Sequence, residues 1–89
     1  MTSRATARLW KLYAQLPAHV QSVARKNYEL WRRNPRHPSL EFKGLRGGKG
    51  RFSIRVGEHF RALGQRTEDG VEWVWIGSHE EYNKLLTRR

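Results

Sequence analysis

Residues 51–66, Arg-Phe-Ser-Ile-Arg-Val-Gly-Glu-His-Phe-Arg-Ala-Leu-Gly-Gln-Arg, decide the fold. Phe52, Ile54 and Val56 alternate with Arg51, Ser53 and Arg55, the period-two pattern of a strand with one buried face. Gly57-Glu58-His59 turns the chain into a second strand, Phe60 to Arg66. Thr67-Glu68-Asp69-Gly70 reads as a hairpin turn with Gly70 at a positive-φ position. Val71 to Ile76 is dense in β-branched and aromatic residues, as a central buried strand is. Upstream, Leu40, Phe42 and Leu45 suggest a further strand with Gly44 as a bulge, and residues 46–50 form a loop.

Outward from this sheet the period changes to 3.6. Leu9, Trp10, Leu12, Tyr13 and Leu16 recur at helical spacing between Ala5 and Leu16. Pro17 interrupts that helix but suits the first turn of another. Val20, Val23, Ala24, Asn27 and Trp31 continue a stripe to about Arg33, where Asn34-Pro35 ends it. At the other end, Ser78-His79-Glu80-Glu81 has the form of a capping box opening a short helix. Tyr82, Leu85 and Leu86 would face the core from that helix, and all four tryptophans read as core residues. These elements predict one α+β domain over residues 1–89. An N-terminal antiparallel helical hairpin packs on a three- to four-stranded antiparallel sheet, followed by a short C-terminal helix.

Composition narrows the function. The 89 residues carry 18 Lys+Arg against 8 Asp+Glu, for a net charge of +10. Residues 1–66 hold 15 of the basic and only 3 of the acidic side chains. Thirteen of the basic residues are arginines, whose planar fork suits phosphate. Such an imbalance points to nucleic acid or an acidic protein partner, and away from a membrane. With no cysteine, a thiol nucleophile or thiolate zinc site is excluded. The four histidines lie about twenty residues apart, without carboxylates at ligand spacing, so neither a metal nor another cofactor is expected. No segment resembles a signal peptide or a membrane span. The glycine-rich run at 47–50 lacks the order of a phosphate-binding loop.

The candidate chemistry lies among the cations of the strands. If the strands pair in order, Lys43, Arg55 and Arg61 converge on one face, and crowded cations favour an anion between them. Alternatively, each arginine is separately solvated or pairs with Glu41, Glu58 or Glu72. His79, at a helix start, is the side chain best suited to proton transfer near neutral pH. Tyr82 follows one helical turn later.

Residues 52–63, Phe-Ser-Ile-Arg-Val-Gly-Glu-His-Phe-Arg-Ala-Leu, followed by 73–82, Trp-Val-Trp-Ile-Gly-Ser-His-Glu-Glu-Tyr, resemble the RelE/ParE superfamily of bacterial type II toxins. Residues 34–45 are similar to the stretch between helices and sheet in that family, and the likeness spans about residues 8–87. It implies a bacterial cytoplasmic toxin with a separately encoded antitoxin. RelE-like members enter the ribosome and cut messenger RNA through its 2′-hydroxyl, without metal or small-molecule cofactor. ParE-like members inhibit DNA gyrase without catalysis, and an inactive RNA-binding relative is a third possibility. By position, Arg61, Arg55, His79 and Tyr82 would be catalytic, and Lys43, Arg46, Lys49 and Arg51 would bind RNA. Two departures stand out. Glu80 occupies a place that is basic in many nucleolytic members. Residues 1–7 lack alternation, so the family's first strand is not expected, and the sheet edge it leaves bare would suit an antitoxin segment.

Overall fold

The computed structural model describes residues 2–45 and 49–87. Its elements are β1 (Thr2–Ala5), α1 (Ala7–Ala14), α2 (Ala18–Arg33), a 3₁₀ turn (Pro38–Leu40), β2 (Lys43–Gly44), β3 (Arg51–Val56), β4 (Phe60–Arg66), β5 (Gly70–Ser78) and α3 (His79–Thr87). The strands form one sheet in the order β1-β5-β4-β3-β2. The α+β plan and the order of its helices are as the sequence predicts. The sheet, however, has five strands rather than three or four, and it is mixed.

The fifth strand is β1, which pairs parallel to β5 from Thr2 opposite Gly70 to Ala5 opposite Trp73. A four-residue edge strand needs no hydrophobic alternation when backbone bonds and half-buried hydroxyls hold it. Ser3 Oγ accepts from Trp73 Nε1 at 3.2 Å and lies 3.0 Å from the Tyr28 hydroxyl. Thr6 then caps α1 by accepting from the Leu9 amide. The edge of β5 is therefore occupied by this chain's own strand, not bare.

Three local expectations are corrected at the strands. Leu40 is in the 3₁₀ turn, fully buried, and β2 is only Lys43–Gly44, with Phe42 exposed before it. The register shift falls at Leu63/Gly64, where Val74 of β5 is left without a partner, and not at Gly44. Gly70 does not have a positive φ; among the described glycines only Gly50 and Gly57 do. Gly70 is required because a Cβ there would run into the backbone of Thr2.

The two faces of the sheet have different coverings. On one, Phe52, Ile54, Val56, Ala62 and Trp73 form a core with Leu9, Val20, Trp31 and Leu40. Asn27 fastens α2 to this face by donating to the Arg55 carbonyl at 2.8 Å. Tyr28, Trp31, Trp73, Phe52 and Phe42 make a continuous aromatic chain with ring centroids 5.1–6.1 Å apart. On the other face, α3 lays Tyr82 and Leu85 against Leu63, Trp75 and Val74. The bulge explains why the consecutive residues Val74 and Trp75 both meet this cluster, because an extra residue shifts the alternation of the strand. Trp10 and Leu86 are exposed rather than in the core. Trp10 lies at the edge of α1's buried stripe and packs edge-on against Tyr13.

Gly64 tests this packing. A Cβ there would come within 2.6 Å of the buried Phe52 ring, which Phe42 and Trp73 hold in place. Gly64→Ala should therefore destabilise the domain by about 1–3 kcal/mol in urea unfolding. Gly70→Ala should release β1, seen as loss of amide protection at residues 2–6 with β3 and β4 still protected.

Candidate active site

The strands place two cations directly opposite each other: Arg55 on β3 pairs with Arg61 on β4. Like charges facing across a sheet are unfavourable, so each needs partners. Both side chains stand on the α3 face, since the alternation that sends Ile54, Val56 and Ala62 to the helical core sends Ser53, Arg55 and Arg61 the other way. Next along the row is Gly77 of β5, which has no side chain to crowd Arg61. A Cβ at Gly77 would strike the Trp75 ring and approach Glu81.

Arg61 is only 2% exposed, and a buried guanidinium must be hydrogen-bonded to be tolerated. Its Nε and Nη2 donate to Ser53 Oγ at 3.2 and 2.9 Å, and Nη2 also donates to the Glu41 carbonyl at 2.7 Å. Its Cζ lies 5.3 Å from the centroid of the Tyr82 ring. Nη1 faces the Glu41 carboxylate, with Oε1 at 3.7 Å. The same carboxylate accepts from Arg55 Nη1 through Oε2 at 2.9 Å, while Arg55 Nε donates to the Gly57 carbonyl.

Ser53 Oγ and Tyr82 Oη are 2.9 Å apart. Because Ser53 accepts two N–H groups from Arg61, its lone pairs are used and its own proton goes to Tyr82. Tyr82 is then an acceptor in this contact, and its phenolic proton remains available to another oxygen. His79 begins α3 beside this group. Its ring is exposed, 5.8 Å from the Tyr82 ring, and its amide donates to the His59 carbonyl at 2.7 Å. The capping box fixes that helix start. Ser78 Oγ accepts from the Glu81 amide at 3.1 Å, and Glu81 Oε1 accepts from the Ser78 amide at 3.2 Å. Glu80 is exposed in the first turn.

The predicted residues thus divide. Arg55, Arg61, Tyr82 and His79 gather at one end of the sheet, and of the two readings for the arginines it is pairing with Glu41 that the structure displays. Lys43 lies one row along, opposite Ser53, on an exposed strand. Arg51 and Lys49 lie at the far end, where Arg51 pairs with Gln65. That is four residues, or about 13 Å, along β3 from Arg55. There Arg51 borders a cleft of about 260 Å³ together with Arg8, Leu63, Trp75 and Leu85. Arg46 falls outside the described residues. The sequence reading missed Ser53 and left Glu41 as one of three possible partners of the arginines. Ser53 shares the alternating face of Arg51 and Arg55, and a hydroxyl between two arginines on a strand is the available signal.

Deleting the Ser53 hydroxyl strands two donors of a buried charge, so Ser53→Ala should cost about 2–3 kcal/mol. Tyr82→Phe leaves Arg61 fully bonded and should cost about 1 kcal/mol. Urea unfolding of the two variants gives this order, and a larger loss in Tyr82→Phe would contradict the donor assignment.

The ParE-like toxin domain family matches residues 18–84, a span that contains every residue of this site. No curated protein matches the chain by sequence. Among solved structures, YafQ from E. coli superposes with a TM-score of 0.74 at 12% identity, over 91% of this chain and 96% of that one. The toxin in the RelB–RelE antitoxin–toxin complex from Methanococcus jannaschii gives 0.73 at 15% identity, over 89% and 93%. The YoeB/ParE toxin from Agrobacterium tumefaciens gives 0.71 at 19%, over 89% and 99%. The shared fold, with the family match running from α2 to α3, makes this chain a member of the ParE-like toxin domain family, and so a toxin of the RelE/ParE superfamily.

Proposed function

We propose that this toxin is a ribosome-dependent endoribonuclease that cuts messenger RNA in the A site. The observation that carries the reading is the convergence of Arg55, Arg61, the Tyr82 hydroxyl and the exposed His79 at one end of the sheet. In the proposed reaction the 2′-oxygen attacks the adjacent phosphorus and the bond to the 5′-oxygen breaks. The products are a 2′,3′-cyclic phosphate and a 5′-hydroxyl. His79 takes the proton from the 2′-hydroxyl, and the phenolic proton of Tyr82 goes to the departing oxygen. Arg55 and Arg61 stabilise the charge that builds on the phosphoryl oxygens. The ribosome and its messenger supply the alignment, which alone lowers such a barrier substantially. Lys43, Lys49 and Arg51 would hold RNA phosphates along the open part of the sheet, with Arg46 as a further candidate contact.

The partner that restrains the toxin is a separately encoded antitoxin, acidic where it meets the basic sheet. The complexes of similar toxins with RelB support this reading.

A second reading has its own support. Arg61 is engaged on every side by this chain, and the matching family is ParE-like. Both features suit a non-catalytic inhibitor of DNA gyrase.

Mapping messenger 5′ ends in a purified translation system separates the two. The nuclease produces new ends inside the coding region only when ribosomes are present. His79→Ala, an exposed change harmless to folding, should lower the cutting rate by about 100-fold or more. Intact messenger together with inhibited gyrase supercoiling would establish the second reading instead. If about five phosphates are contacted on single-stranded RNA, ribosome association should fall with salt at a log–log slope of about −3 to −4.

A further inference from the structure

The guanidinium of Arg61 has one side not committed to Ser53 or to a backbone carbonyl, and that side faces the carboxylate of Glu41. The same carboxylate bridges to Arg55, with one oxygen toward each cation. The carboxylate, bonded to Arg55 and 3.7 Å from Arg61, lies where a tetrahedral phosphate could offer one oxygen to each guanidinium. Glu41 is delivered there by an unusual backbone. It sits at φ 43° and ψ 53°, a left-handed conformation that non-glycine residues seldom adopt, at the end of the Pro38–Leu40 turn. The turn is anchored by Leu40, which is fully buried, and by the Glu41 amide donating to the Pro38 carbonyl at 3.1 Å. The Glu41 side chain itself is about half exposed, 48%, so it can swing into solvent while the turn stays anchored.

We propose that the Glu41 carboxylate is an internal substitute for a phosphate, latching the Arg55–Arg61 pair shut until a phosphodiester displaces it. The inference rests on the reading that Arg55 and Arg61 serve a phosphodiester, and it adds what stands in their way. Closure offsets the repulsion of two facing cations in the free protein. It also lowers the apparent affinity for anions in proportion to the open fraction, so that loose RNA is held weakly. Arg61 becomes available only where a correctly placed phosphate competes with a tethered carboxylate.

Arginine modification by phenylglyoxal, mapped peptide by peptide, reads the latch directly in the whole protein. Glu41→Gly suits the left-handed backbone and removes the carboxylate, and Glu41→Gln removes only its charge. Glu29→Gln, an exposed site on α2, controls for net charge. Arg61 should be protected in the wild type and in Glu29→Gln, and about tenfold or more reactive in both Glu41 variants. Inorganic phosphate should restore protection in the Glu41 variants. Equal protection of Arg61 in all four proteins would overturn the latch. Reactivity that phosphate fails to suppress would overturn the assignment of a phosphate as the displaced anion's counterpart. Neither readout involves cleavage, so a protein that cuts no messenger yet behaves as expected here would refute the nuclease reading and leave the latch standing.

Discussion

A buried guanidinium organises this protein. Arg61 has almost no contact with solvent, and its tolerance depends on Ser53, the Glu41 carbonyl and the Tyr82 ring arriving together. Each partner comes from a different element: β3, the connection after the 3₁₀ turn, and α3. The charge therefore ties β4 to the rest of the α3 face as no apolar contact of the same size would, because a lost partner leaves an uncompensated buried charge. The opposite face needs no such device. Its helices and aromatic chain pack mainly by shape and area, with Asn27 and Ser3 supplying hydrogen bonds between neutral groups.

The candidate site residues are consequently structural as well. Tyr82 packs against Leu63 and Trp75 while its hydroxyl meets Ser53. Arg55 is bonded to the Gly57 carbonyl of the hairpin it shapes. Of the four residues gathered at this end of the sheet, His79 is the one whose side chain stands clear of the packing, at a helix start held by the reciprocal bonds of Ser78 and Glu81. A variant series that ignores this overlap would confuse loss of folding with loss of activity.

The sequence carried the α2, β3, β4, β5 and α3 pattern because each of those segments has a strong period and chemical punctuation: Pro17, Asn34-Pro35, the Gly57 turn and the Ser78–Glu81 box. It did not carry β1, since Thr2–Ala5 is held by backbone pairing to β5 and by Ser3, neither of which leaves a hydrophobic alternation. Nor did it distinguish a glycine needed for positive φ from one needed for close approach, as Gly70 shows. At the site, spacing along β3 and β4 was enough to bring Arg55 and Arg61 to one face. Which anion stands between them was open, because Glu41 arrives from a turn whose left-handed backbone no periodicity announces.

The most direct measurement is hydrogen exchange at the arginine Nε–H groups, followed by nitrogen-15 NMR on the free protein. One of these signals, assigned to Arg61, should exchange far more slowly than all the others and lose that protection in Ser53→Ala. Arg61 exchanging as fast as the exposed arginines would contradict the buried guanidinium on which the account of the site depends.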